Sequence, residues 1–150
     1  MRRTWIAAAL AAGLCVAACG DNAFVSGVTS ESSNVSGSWS YSASDVAGGG
    51  LSCNITGVTI NLTQTQSTFS GTVIGGHLRC LQSTTVVIDN PLANDVIANG
   101  RVTGSSVSFD IGTPDVHHSG TMNGNSITGQ LTIRADTTGV PLTGRYTMAR

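Results

Sequence analysis

The chain of 150 residues contains no lysine, and all 7 of its basic residues are arginines. A phosphate-binding P-loop, an S-x-x-K acylase and a Schiff-base enzyme each require a lysine, so these three mechanisms are excluded. Nucleic-acid binding requires a basic stripe, yet from Cys19 onward eight acidic residues outnumber five arginines. We therefore expect no nucleic acid among the partners of this protein.

Aromatic residues are also scarce, at 5% of the chain, and the only glutamate is Glu31. The remaining sequence is rich in Gly, Ser, Thr and Asn, with β-branched residues between them, which is typical of secreted β proteins. The acidic residues occupy turn or solvent-phase positions, so no pair of carboxylates is set up for acid and base catalysis. The composition predicts an all-β protein without a carboxylate reaction centre.

The amino-terminal segment has the features of an export signal. Arg2 and Arg3 precede an apolar run that is shorter than the roughly 20 residues a membrane-spanning helix needs. The run ends in VAAC, with Cys19 last, and this motif resembles the lipobox of bacterial lipoproteins. The resemblance implies a signal peptide over residues 1–18, a diacylglyceryl group with palmitate-like chains on the Cys19 sulfur, and acylation of the new amino terminus.

Lipidation of Cys19 would anchor the protein to a membrane of the bacterial cell envelope, because each buried methylene contributes about 0.8 kcal/mol. Gly20 followed by Asp21 does not resemble the aspartate-second signal for inner-membrane retention, which favours the outer membrane over the inner membrane and does not identify the leaflet. An ordinary signal peptide, with Cys19 left as a free thiol, is the alternative.

Two cysteines remain once Cys15 leaves with the signal peptide and Cys19 is lipidated. Cys53 and Cys80 form an even pair in an exported chain, which predicts a disulfide. The loop it would close stabilises the fold by roughly 3–4 kcal/mol in the chain-entropy model. Two free or metal-binding thiols are the alternative, without C-x-x-C spacing to support them.

The part of the chain after Cys19 divides into two regions. Residues 19–34 form a lipidated cysteine and a flexible tether without periodicity. Residues 35–150 form one domain, in which apolar residues alternate with polar ones as in half-buried strands. About eight such strands leave two exposed edges unless the sheet closes, so the pattern predicts an up-and-down antiparallel β-barrel, with a β-sandwich as the alternative.

Small residues and turns within this pattern support a curved sheet. Four glycines fall in the inward phase, where they let strands bend: Gly37, Gly71, Gly129 and Gly144. The dipeptide Asn123–Gly124 predicts a type I′ hairpin.

Gly37-Ser38-Trp39 opens the first predicted strand as G-x-W, which resembles the start of the calycins, the superfamily of lipocalins, fatty-acid-binding proteins and avidins. The resemblance implies that a basic residue of the last strand covers Trp39 and closes one end of the barrel. Alternation favours Arg150 for this role, because it is in phase with Met148. The resemblance further implies a small apolar ligand inside the barrel, with the large inward residues as candidate contacts: Trp39, Tyr41, Phe69, Phe109, Met122 and Tyr146.

The histidines do not predict a reaction centre. His117 and His118 point to opposite faces of a strand and cannot bind one metal ion from the same side, so we expect surface or barrel-rim histidines, with His77 elsewhere. Asp115, His117 and Ser119 share a face, but such side chains stand about 7 Å apart, whereas a nucleophile and its base need about 3 Å. We expect a binding protein, not an enzyme, with no metal and no cofactor.

Two functions of different classes fit this domain. A hollow barrel would carry a small apolar ligand. A solid barrel would bind through loops 42–53 and 89–95, as an inhibitor of a lysozyme or protease, or serve as a structural envelope protein. An interior cavity of about 300 Å³ or more favours the first function.

Overall fold

The computed structural model describes residues 33–112, 116–134 and 139–150. Cys19, the predicted lipobox and most of the predicted tether lie outside these residues. The described residues form ten β-strands and contain no helix long and apolar enough to cross a bilayer. The strands are β1 (Gly37–Gly48), β2 (Leu51–Thr65), β3 (Thr68–Ile74), β4 (His77–Gln82), β5 (Thr85–Pro91), β6 (Asp95–Thr103), β7 (Ser106–Ile111), β8 (Val116–Asn123), β9 (Ser126–Ile133) and β10 (Leu142–Ala149).

Eight of the strands form a closed antiparallel barrel. The strand β1 pairs with β10 along one edge and with β2 along the other, and the circle runs β1-β2-β3-β6-β7-β8-β9-β10. The predicted barrel is therefore confirmed, and a sandwich of two separate sheets is excluded. The buried face carries the alternating apolar residues, since buried and exposed positions alternate along β1 and β2.

The strands β4 and β5 form an additional hairpin, which is inserted between β3 and β6 in the sequence. In the barrel β3 and β6 pair directly with each other. The strand β2 is long enough for two neighbours on the same side: its first half pairs with β4 and its second half pairs with β3. Cys53 and Cys80 are directly paired across β2 and β4 and form the predicted disulfide, with an S–S distance of 2.08 Å. Ser83 and Thr84 form the turn between β4 and β5.

Two-residue turns connect five of the hairpins. Asn123 pairs with Ser126, so the last of them consists of Gly124 and Asn125, and of these only Gly124 has a positive φ, of 58°. This is the arrangement of a type II′ turn and not of the predicted type I′ turn, which needs positive φ at both central residues. The register explains the difference, since Asn123 still belongs to the strand.

Close packing between strands explains two of the four predicted inward glycines most clearly. A Cβ at Gly129 would collide with the carbonyl oxygen of Ser119 on the neighbouring strand, and one at Gly144 would lie 2.6 Å from a methyl carbon of Val46. Gly71 is similarly crowded, whereas Gly37 is exposed and has a φ of 126°. The prediction for Gly37 is wrong in this respect, and its backbone conformation is the reason for glycine there.

Residues 33–36 cross one end of the barrel, which we call the closed end. Val35 is fully buried, and its carbonyl oxygen accepts a hydrogen bond of 2.8 Å from Trp39 Nε1. The Val35 amide donates to Gln64 Oε1 at 2.7 Å, and the Ser33 amide donates to the Gly104 carbonyl at 3.1 Å. The folded domain thus includes two residues of the predicted tether.

Arg150 covers the closed end from outside. Its guanidinium carbon lies 4.6 Å from the centre of the Trp39 ring. The same group donates to the carbonyl oxygens of Ser36 at 2.7 Å and Asn34 at 3.2 Å, and to Asn125 Oδ1 at 3.3 Å. The contact between Arg150 and Trp39 is the one that strand alternation and the calycin resemblance lead us to expect. It joins the last strand to the segment that enters the first.

We expect Arg150→Ala to lower the free energy of unfolding by about 1–2 kcal/mol, because a cation–π contact and charge-assisted hydrogen bonds each contribute on this order and solvent weakens both at an exposed site. Arg145→Ala is the matched control, since Arg145 is exposed on the outer face of the same strand, and should change stability by less than about 0.5 kcal/mol. Urea unfolding of both variants measures the difference. Equal losses would contradict the role of Arg150.

Candidate functional site

A cavity of about 310 Å³ lies inside the barrel at the end opposite Arg150, which we call the open end. Neighbouring strands are antiparallel, so this end collects the ends of β3, β7 and β9 and the starts of β6 and β8. The β4–β5 hairpin and the connection after it complete the wall. The lining residues are Tyr41, Ile55, Val58, Val73, Leu78, Leu92, Ala93, Asp95, Ile111, Gly112, Val116, His118 and Ile133.

Burial separates a floor from a mouth in this cavity. Buried residues form the floor, among them Tyr41, Val58, Val73 and His118. The mouth is made by residues that stay partly or fully exposed, among which Ala93 is the most accessible to solvent. Most of the wall is aliphatic, so a ligand that enters loses water from its apolar surface.

The polar part of the floor is a hydrogen-bonded pair. Tyr41 Oη lies 3.0 Å from His118 Nε2, and His118 Nδ1 lies 3.0 Å from the carbonyl oxygen of Val116. A carbonyl oxygen only accepts, so Nδ1 carries the ring proton and donates it to Val116. Nε2 therefore accepts the hydroxyl proton of Tyr41. The Tyr41 oxygen keeps lone pairs and has no proton left to offer to a ligand.

Burial controls the charge of both groups. Desolvation lowers the pKa of His118 to about 4 and raises the pKa of the Tyr41 hydroxyl well above its usual value. At neutral pH the pair therefore consists of a neutral imidazole and a neutral phenol. The floor of the cavity holds no charge.

An aromatic cluster separates this floor from the closed end. His118 stacks on Phe109 with ring centres 4.4 Å apart, and the ring of Tyr146 packs nearly perpendicular to both. The Tyr146 hydroxyl is buried and has no hydrogen-bond partner among the described residues. Gly120 leaves room for it, since a Cβ at that position would lie 2.5 Å from the hydroxyl oxygen. These rings fill the middle of the barrel.

Asp95 is the charged residue at the mouth. Its Oδ1 accepts a hydrogen bond of 2.8 Å from the Val96 amide. The second carboxylate oxygen lies against Gly112, where a Cβ would collide with it. Glycine at position 112 therefore lets a partly exposed carboxylate stand at the rim of the apolar cavity.

Of the six predicted ligand contacts, Tyr41 lines the cavity. Trp39 belongs to the closed end, Phe69, Phe109 and Tyr146 fill the core, and Met122 is partly buried at the surface of that core. Five of the six are therefore corrected as cavity contacts. The reason is steric, because a large inward side chain fills a small barrel and a cavity remains where the inward side chains are small. Several wall residues that a selection by size misses lie where strands end at the open end, such as Ile111 of β7 and Ile133 of β9.

The histidine predictions are confirmed in part. His117 and His118 do point to opposite faces, with His117 exposed and hydrogen-bonded to Asp110 Oδ1 at 2.7 Å. The prediction that both lie at the surface or rim is wrong for His118, which is fully buried. Asp115 lies outside the described residues, so its geometry relative to Ser119 is not described. Within the described ranges no three His, Cys, Asp or Glu residues are grouped as a metal site.

The loop predictions also change. Residues 42–53 belong to the β1–β2 hairpin, with Gly49 and Gly50 as its turn, and the connection between β5 and β6 is confined to residues 92–94. The strand pairing of β1 with β2 continues to Gly48 and Leu51, which leaves no extended loop there. The structure thus offers a cavity mouth at this end instead of two long binding loops.

We expect Tyr41→Phe and Tyr146→Phe to differ in sign or size, although both delete one buried hydroxyl. Loss of the Tyr41 hydroxyl leaves His118 Nε2 buried without its partner and should cost about 1–3 kcal/mol. Loss of the Tyr146 hydroxyl removes an unsatisfied polar group and should be neutral or stabilising by up to about 1 kcal/mol. Chemical unfolding measures both, and equal destabilisation would show that the pair on the floor is not formed.

Comparison with known proteins provides no relative. No protein-family model matches the chain, and neither a curated protein nor a solved structure matches it. The resemblance to lipoproteins at Cys19 and to calycins at Trp39 therefore stays a prediction from those residues, and function must be argued from the cavity.

Proposed function

We propose that this protein is a lipid-anchored protein of the bacterial cell envelope whose barrel binds a small apolar ligand in the open-end cavity and catalyses no reaction. The observation that carries the proposal is the cavity of about 310 Å³, lined mainly by aliphatic side chains. Small barrels are often filled by their own side chains, so a space of this size at one end needs an explanation. Its volume is at the lower limit of ligand sites, which run from about 300 to 1,000 Å³.

The volume limits the ligand to a small molecule. A water-sized group occupies about 30 Å³ in a liquid, so the cavity has room for about ten such groups. A medium-length alkyl chain or a single substituted ring is of this size. A full-length lipid acyl chain would extend out of the mouth.

The orientation of the barrel supports an anchored carrier. Residue 33 lies at the closed end, where the Ser33 amide donates to Gly104. A chain leading back to a lipidated Cys19 would leave from that end, and the cavity mouth is at the other. We propose that the mouth faces away from the attachment point on the membrane, and that this membrane is the outer membrane.

The alternative function is inhibition of a lysozyme or protease through loops 42–53 and 89–95. Most of these residues do not form loops that could bind a partner. The first stretch is a β-hairpin and most of the second is strand or the rim of the cavity. A purely structural role would not require the space at the open end. The carrier function accounts for more of the described geometry than either alternative.

We expect Cys19→Ser to release the protein from the membrane fraction, because the variant lacks the sulfur to which the diacylglyceryl group attaches. Fractionation of cells that express either form measures this, with mass spectrometry of the wild-type amino terminus to detect the acyl mass. Cys15→Ser is the matched control and should leave the distribution unchanged. A wild-type protein without acyl groups, or equal membrane retention of Cys19→Ser, would contradict the anchor.

We expect octanol to bind in the cavity and Val73→Trp to weaken its binding. Val73 is a buried floor residue, and an indole in its place would occupy the space of at least two ligand methylenes. Each buried methylene contributes about 0.8 kcal/mol, so the affinity should fall roughly tenfold. Ile74→Trp is the matched control, because Ile74 is the next residue of β3 and 44% exposed on the outer face. It should leave the affinity unchanged.

Calorimetry on the full-length chain carrying Cys19→Ser measures these affinities without an attached acyl chain that would compete for the cavity. Ala93→Trp provides a second blocking variant at the mouth, where the exposed alanine tolerates a larger side chain without disturbing the core. Octanol binding that Val73→Trp and Ala93→Trp both leave intact would contradict the carrier function, and so would failure of octanol and of its charged analogues of equal chain length to bind at all.

A further inference from the structure

The lining side chains of the cavity offer hydrogen-bond acceptors and no free donors. The Tyr41 hydroxyl proton is committed to His118 Nε2, and the Nδ1 proton of His118 is committed to the Val116 carbonyl. What remains for a ligand is the lone pairs of the Tyr41 oxygen and the carboxylate oxygens of Asp95. All other lining side chains are hydrocarbon, apart from Gly112, which has none.

The charge of the cavity has one sign. Asp95 is the charged residue among the lining residues, and no arginine lines the space. The five arginines of the described residues are exposed on the outside of the barrel, at positions 79, 101, 134, 145 and 150. A cationic partner for a ligand carboxylate is therefore missing from the described walls.

From this we infer that the cavity selects a small apolar amine, whose ammonium group pairs with Asp95 at the mouth while its hydrocarbon part fills the floor. This inference rests on the proposed function and specifies its ligand class. An ammonium group is a donor only and matches the acceptors, whereas a carboxylate is an acceptor only and meets a like charge.

The position of Asp95 makes such a pair physically reasonable. A charge carried down to the floor would lose its water without gaining a charged partner, which is costly. At the mouth the ammonium stays partly hydrated and lies beside a carboxylate that is itself partly exposed. The hydrocarbon part of the ligand then contacts the buried aliphatic residues Ile55, Val58 and Val73. Charge and apolar burial are satisfied at different depths of one site.

Three probes of equal chain length separate charge from size: octylamine, octanol and octanoate. Near pH 7 an alkylamine is protonated and an alkyl carboxylate is ionised. Octylamine therefore carries one positive charge, octanol carries none and octanoate carries one negative charge. We expect octylamine to bind the full-length Cys19→Ser chain at least about tenfold more tightly than octanoate, with octanol between them. The affinity of octylamine should fall with added salt, while that of octanol should not.

Asp95→Asn tests the residue assigned to this selectivity. The asparagine Oδ1 retains the acceptor for the Val96 amide, while the charge is lost and the second carboxylate oxygen becomes an amide NH2. We expect the variant to bind octylamine and octanol within about twofold of each other, because the charge that distinguishes them is gone. Asp45→Asn is the matched control. It removes the same charge from an exposed residue outside the cavity, at a φ of 54° that asparagine tolerates, and should preserve the preference for octylamine.

The outcomes separate this inference from the proposed function. If octanol binds but octanoate binds as tightly as octylamine, or Asp95→Asn keeps the preference, the amine selectivity is wrong and the carrier function stands. If none of the three probes binds the wild-type cavity, the carrier function fails and the selectivity fails with it. The comparison of the three probes on the wild-type chain needs no variant, so an unstable Asp95→Asn protein does not remove the test.

Discussion

The pairing of β1 with both β2 and β10 is the constraint on which the rest of this structure depends. It turns a row of hairpins into a barrel without free edges among its eight strands and gives every inward side chain a shared interior. If β1 left β10, Trp39 would lose the strand that carries Arg150, and Tyr41 would lose its place beside His118 and Tyr146. The closed end and the cavity are therefore two consequences of one closure.

The two ends of the barrel differ because different side chains fill them. Residues 33–36 and Trp39 cover the closed end, and the ring cluster of Phe109, His118 and Tyr146 fills the middle. Beyond these rings the inward residues are aliphatic and smaller, so the interior is not filled. The disulfide between Cys53 and Cys80 holds the extra hairpin at this end, where Leu78 forms part of the wall. The space at the open end thus follows from side-chain size and one inserted hairpin.

Much of the fold could be predicted because its signals are local. Alternation with a period of two identifies which residues face inward, and the phase of the last strand selects Arg150 over Arg145 as the partner of Trp39. The disulfide between Cys53 and Cys80, which is predicted on the expectation of export, is present in the structure. These predictions need only the direction of each side chain relative to its strand.

The cavity could not be predicted in the same way, because it depends on depth along the barrel axis and on pairing between distant strands. His118 is in the inward phase with Val116 and Met122, but its polar side chain suggests a rim position. Its hydrogen bonds to Tyr41 and to the Val116 carbonyl show that it is buried and neutral. Asp95 begins β6 directly after the connection of residues 92–94, and it lies at the mouth because β6 begins at the open end. Selection of inward residues by size found the filled part of the barrel and missed the empty part.

The central claim is that this barrel is closed at one end and hollow at the other. Nuclear Overhauser effects between octanol and the methyl groups of the full-length Cys19→Ser chain test it most directly. The structure predicts contacts to Val58, Val73 and Ile133 of the cavity and none to Val102, Ile127 or Met148 behind the aromatic cluster. Contacts confined to the outer residues Ile74 and Val96, or contacts with residues at the closed end, would contradict it.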